Sequence, residues 1–120
     1  MKNYDVNFSE LKGKVLASAV ALDDDELIFT TTEGVVYGLH HITDCCESVT
    51  IDDICGDLDD ICGAPLLSVE EVSRHGSDEC STWTFYKIDT IKGGVTIRWY
   101  GESSGDYSET VDFYQKEIVE

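Results

Sequence analysis

The residues best suited to chemistry fall into three groups, of which the first is His40, His41, Cys45, Cys46, Cys55 and Cys62, six imidazole or thiol groups within 23 residues. Imidazole and thiolate are the usual zinc ligands. The spacing opposes a metal site, because there is no C-x2-C pair and the adjacent Cys45 and Cys46 on an extended chain point to opposite faces. The favoured reading is of buried thiols acting as small hydrophobes, with no metal. Nucleophilic catalysis needs a thiol of lowered pKa, whereas Asp44, Glu47, Asp52, Asp53, Asp57, Asp59 and Asp60 crowd this segment and no Lys or Arg does. The same acids do not follow the EF-hand pattern, and no phosphate-binding glycine loop, nucleophile elbow or HExxH element is present. The expectation is a protein that is not an enzyme and carries no cofactor.

The second group is Lys87, Arg98, Tyr100, Ser103, Ser104, Tyr107 and Ser108, which gathers cationic, planar and hydroxyl groups in a chain with only two arginines. An arginine flanked by Trp99 and Tyr100 can fork onto a phosphate or carboxylate while an aromatic ring stacks on a base. Lys87, Arg98, Tyr100, Tyr107 and Ser108 are therefore the candidate ligand-binding residues, and the ligand class is a nucleotide-type small molecule. The plainer alternative pairs Arg98 with Asp112 across an exposed sheet face.

The third group is the charge itself. Eight Lys+Arg against 25 Asp+Glu leave a net charge of −17 on 120 residues. That balance argues against direct binding to nucleic acid or an anionic membrane. Fourteen acids against three lysines in residues 1–60 suit a DNA mimic, provided the carboxylates are spaced like phosphates on a rigid surface; solubility alone also accounts for them. No apolar run reaches the roughly 18 to 20 residues of a spanning helix, and Met1 to Asp5 lacks the basic and apolar blocks of a signal peptide, so a cytoplasmic protein is expected. Five cysteines, an odd number, are expected to be reduced thiols.

These groups need elements to hold them. Nothing resembling a linker divides the chain, so residues 1–120 read as one domain with 42% hydrophobic residues to fill its core. A short helical turn is expected over Asn7 to Gly13, with Ser9 as its cap and Gly13 as its stop. Lys14 to Leu22, Glu26 to Thr32 and Val35 to Ile42 read as a three-stranded meander turning at Asp23-Asp24-Asp25 and at Gly34. Glu47 to Ile51 alternates like a strand, and Asp57 to Gly63 has helical spacing at Leu58, Ile61 and Cys62, with Gly63 as its stop. Leu66 to Ser73 is compatible with either strand or helix.

Thr82 to Ile91, Val95 to Gly101 and Tyr107 to Tyr114 read as a second meander. A three-residue loop at Ser103-Ser104-Gly105 would set Val95 opposite Phe113 and Ile97 opposite Val111. Thr96, Arg98 and Tyr100 would then face Asp112, Thr110 and Ser108 on a polar, aromatic face. The expected class is α+β, mainly antiparallel β-sheet in two meanders with one or two short helices.

The segments HHITDCCESVTIDDICGDLDD and TWTFYKIDTIKGGVTIRWYGESSGDYSETVDF resemble a family of small acidic proteins, encoded mainly by bacteriophages and prophages, that carries a domain of unknown function. The resemblance runs from Leu11-Lys12-Gly13 to Phe113. Its most specific pieces are Asp44 to Val49, Asp53 to Leu58 and Ile97 to Gly101. The family has no established activity, so the resemblance supplies no site residues. It implies a setting, an infected bacterial cell in which small accessory proteins often inhibit host defence.

The resulting expectation is a non-catalytic binding protein that counteracts host defence by sequestering a nucleotide-type ligand, in a pocket that a homodimer can complete. The alternative is an acidic interaction protein that blocks a basic, nucleic-acid-binding host effector.

Overall fold

The computed structural model describes residues 3–41, 47–76, 80–103 and 110–116. They form strands β1 (Asn3–Asp5), β2 (Leu16–Leu22), β3 (Glu26–Thr31), β4 (Val36–His40), β5 (Ser48–Cys55), β6 (Ser68–His75), β7 (Ser81–Thr90), β8 (Gly93–Glu102) and β9 (Asp112–Lys116). All pairings between strands are antiparallel, in a five-stranded sheet ordered β1-β9-β4-β3-β2 and a four-stranded sheet ordered β5-β8-β7-β6.

The first meander stands as read from the sequence, with β2, β3 and β4 joined through Asp23 at φ 55° and Gly34 at φ 89°. The two expected short helical segments both form, but only as 3-10 turns. Among the described residues the only helical segments are single 3-10 turns at Phe8–Leu11 and Leu58–Ile61, so the molecule is all-β rather than α+β. Each turn is capped by an Asx side chain, Asn7 and not Ser9 in the first case and Asp57 in the second, which accepts from the backbone N–H two residues on. A single capped turn does not offset the cost of helix nucleation. Gly63, at φ 86°, leaves the helical path soon after the second turn.

The second meander is displaced by one strand: β6, β7 and β8 are its members, which resolves the ambiguous Leu66 to Ser73 segment as strand. The expected hairpin between Val95–Gly101 and Tyr107–Tyr114 is absent. Strand β8 pairs with β5 and β7, whereas β9 inserts between β1 and β4 in the other sheet, where Leu39 and not Val95 is the partner of Phe113. The two-face pattern that suggested the hairpin is real on β8, whereas on β9 both Phe113 and Tyr114 are buried. It says which face is buried and not which neighbour is paired.

Inward residues alternate along both sheets: Leu27, Phe29, Tyr37, Leu39 and Phe113 from the first meet Tyr86, Ile88, Val95, Ile97 and Trp99 from the second in one core. Phe8, on the first 3-10 turn, packs edge-on against Tyr86 and Phe113 at ring separations of 4.7 and 5.2 Å, bridging the sheets. Burying such side chains supplies roughly 1.5–3 kcal/mol each, before entropy is charged against it.

One backbone position admits glycine alone. Gly56, which follows β5, has φ +106°, and a Cβ there would stand 2.6 Å from the Gly94 carbonyl oxygen. Gly56→Ala is expected to lower unfolding free energy by about 2 kcal/mol in urea titrations, from backbone strain and the displaced start of β8.

Candidate functional site

The outward face of the second sheet carries both arginines of the chain. Cross-strand register sets Arg74, Trp83, Tyr100 and Thr50 in one row, Val72, Phe85, Arg98 and Asp53 in the next, and Glu70, Lys87, Thr96 and Cys55 in a third. Alternation explains the segregation: in β7 the inward Thr84, Tyr86 and Ile88 are buried, and Trp83, Phe85 and Lys87 face out between them.

Two adjoining depressions cross these rows. The first, about 230 Å³, is lined by Arg74, His75, Trp83, Phe85 and Arg98. The second, about 370 Å³, is lined by Val72, Arg74, Phe85, Lys87 and Thr96, so that Arg74 and Phe85 stand on the ridge between them. The Arg98 guanidinium lies 5.3 Å from the centroid of the Trp83 ring, and Trp83 packs at 4.5 Å on Tyr100. At an exposed site such a cation–π contact is worth about 0.5–1 kcal/mol.

Arg98 has a built-in counter-ion, but it is not Asp112. Strand β5 shifts register between Ile51 and Asp53, so Asp52 is an extra residue in the ladder. That bulge turns the Asp52 carboxylate onto Arg98, accepting from Nε at 2.8 Å and Nη2 at 2.5 Å. Both side chains remain about two-fifths exposed, at 42% and 37%, so the pair adds at most about 1 kcal/mol to stability. Among the described residues Arg74 and Lys87 make no ion pair. They are the face's uncommitted cations.

Of the expected site residues, Lys87, Arg98 and Tyr100 share this face. The Tyr100 hydroxyl donates to Glu102 at 2.8 Å, so its ring and not its hydroxyl serves the platform. Ser103 lies beyond β8, its N–H donating to the Cys80 carbonyl, beside a separate depression with Tyr100 and Glu102. Ser104, Tyr107 and Ser108 lie outside the described residues. Arg74, Trp83, Phe85 and Asp52 were not among the expected residues. Arg74 lies just beyond the Leu66 to Ser73 segment whose class the sequence leaves open, the outward pair Trp83 and Phe85 was visible in the alternation of β7, and the Asp52-Asp53 doublet interrupting Val49, Ile51 and Ile54 was the sign of a bulge.

The described members of the imidazole and thiol group do not come together. His40 donates to the Asp25 carbonyl at 2.7 Å, whereas His41 donates through Nδ1 to the Thr110 carbonyl at 2.6 Å and sets Nε2 3.3 Å from the buried Glu47 carboxylate. Cys55 is exposed, and Cys62 packs beside the core with its thiol donating to the Leu58 carbonyl. Burial pushes the Cys62 thiol up, and the Asp59 charge adds to this, the opposite of activation. Cys45 and Cys46 lie outside the described residues, among which no three His, Cys, Asp or Glu groups are placed to hold a metal ion. None of their helices is long and apolar enough to cross a membrane.

The sign of the local field at this face is measurable through Trp83, because Trp99 is fully buried. Iodide is expected to quench the emission more than caesium at matched ionic strength, despite the net charge of −17, and Trp83→Phe is expected to abolish the difference. Preferential quenching by caesium would mean that the overall negative charge governs the platform.

No curated protein and no solved structure shows a significant match to the chain. A family model does, the domain of unknown function DUF7448, over residues 9–113, and its span takes in all but the first residue of the two 3-10 turns and strands β2 to β8. On that match the chain belongs to the DUF7448 family.

Proposed function

We propose that the outward face of the second sheet sequesters a small nucleotide-type ligand without transforming it. The observation that carries this reading is the convergence of both arginines with Trp83 and Phe85 in a chain of net charge −17. A base would stack on the exposed rings, an interaction worth about 1–3 kcal/mol per base, while Arg74 and Lys87 take the phosphates. Trp83 and Lys87 are four residues apart along one strand, on the order of 13 Å, which suits the reach from a base to its terminal phosphate. The acidic remainder of the molecule disfavours long polyanions, so the preferred ligand is a free nucleotide and not a nucleic-acid strand. The resemblance to phage- and prophage-encoded proteins supports a counter-defence role in an infected bacterial cytoplasm.

Calorimetric titration with nucleoside mono- and diphosphates and with a cyclic dinucleotide tests the reading. Arg74→Ala and Trp83→Ala are each expected to weaken binding roughly tenfold or more with the circular dichroism spectrum retained. Asp52→Asn, which frees Arg98, is expected to tighten binding several-fold. Absence of binding by every one of these nucleotides would overturn the proposal.

A second reading, blockade of a basic nucleic-acid-binding protein, draws on a different observation. A hydrogen bond from the Ile51 N–H to the Asp24 carbonyl draws the Asp23 to Asp25 turn up to the strand bearing Asp52 and Asp53. That reading expects association with such a protein that collapses as salt rises from low to physiological strength; salt-insensitive association would count against it.

A further inference from the structure

We infer that strand β6 is a self-complementary edge through which two copies of this chain join their four-stranded sheets. Among the described residues β6 is the terminal strand of its sheet, paired with β7 on one side and with no strand on the other. The first 3-10 turn packs Phe8 against the inward ring of Tyr86, and along β6 every residue but Val69 and Val72 is exposed. An exposed ladder edge is a template for another strand unless the sequence guards it. The other edge of this sheet is guarded, since β5 carries the bulge at Asp52 and would set carboxylates against carboxylates.

The sequence Ser68-Val69-Glu70-Glu71-Val72-Ser73-Arg74-His75 specifies one antiparallel self-pairing. Residues that meet across such a pair must lie on the same face, so only registers that join residues of the same parity are allowed. Centring on Glu70, Glu71 or Arg74 brings identical charges together, which is destabilising, and centring on Val69 or Ser73 makes no Glu–Arg pair within the strand. Centring on Val72 sets Val72 against Val72 of the second copy and, two residues to either side, Glu70 against Arg74 and Arg74 against Glu70. Each cross-strand ion pair occurs twice by symmetry. It also satisfies the rule for a two-fold interface that whatever one copy presents, the other must accept.

In the resulting eight-stranded sheet both platforms face the same side. Phe85 and Val72 of one copy continue into Val72 and Phe85 of the other as an apolar row, and Arg74 of each copy stands beside Lys87 and Glu70 of its neighbour. The interface does not depend on the ligand reading; the consequence that each site borrows an arginine does.

Sedimentation velocity without ligand tests the interface separately from binding. The wild-type chain is expected to dimerise reversibly at micromolar concentrations. Glu70→Arg and Arg74→Glu, which create like-charge pairs, are each expected to weaken the dimer roughly tenfold or more, and the double exchange Glu70→Arg with Arg74→Glu is expected to restore it. Circular dichroism confirms that each variant is folded, as expected for exposed edge positions. A wild-type chain that stays monomeric to millimolar concentration, a dimer indifferent to both single reversals, or a folded double variant that stays monomeric would each overturn the inference and leave the nucleotide reading standing.

Discussion

Every other feature of this molecule depends on the burial of one apolar face of each sheet against the other. Among the described residues neither sheet has an α-helical layer to cover it, so the inward rows led by Phe29 and Leu39 on one side and Ile97 and Trp99 on the other pack on each other, with Phe8, Leu11, Ile61 and Leu66 completing the core. That constraint explains the crossover of β9. A hairpin partner for β8 would have left Phe113 in the wrong sheet, while insertion beside β4 stacks it on Tyr37 at 5.4 Å and completes the first layer. With both inward faces committed, the outward faces are released from packing duty, and one of them holds the scarce cations.

The distribution of charge follows a similar economy. Acids occupy turns and caps, where Asp57 ties down a 3-10 turn and Asp23 occupies a positive-φ position, so many of them have local structural work. The arginines have none of this kind. Arg98 holds its guanidinium over the Trp83 ring and Arg74 lines a depression with Phe85, on solvent-facing strand positions where ion pairs contribute little to stability. Arginine suits such a position better than lysine, since its planar group stacks on aromatics and still offers a fork of donors.

What was legible in the sequence was the local part of this arrangement. Alternation placed Thr96, Arg98 and Tyr100 on one face and Val95 and Ile97 on the other, and turn chemistry located the β2–β3–β4 meander. Helical spacing at Leu58, Ile61 and Cys62 was misleading, because one turn of 3-10 helix and the first turn of an α-helix bury the same positions. The neighbour relations were not legible. The partner of Arg98 is 46 residues away in Asp52, on a strand whose bulge is signalled only by one extra acid in an otherwise regular alternation. Arg74 was hidden for another reason: Val69 and Val72 lie on opposite faces of β6, so an edge strand with both faces partly wet loses the period that would announce it.

The bulge at Asp52 leaves Ile51 facing Trp99 and Ile54 facing Ile97, so the buried rows on either side of it are in step with their partners. The extra residue is therefore a module inserted at no cost to the interior: removing a single codon would regularise the ladder and delete the internal competitor for Arg98 in the same event. In a chain built this way the pairing of Arg98 can change by insertion and deletion as well as by substitution, while the core that specifies the fold stays the same.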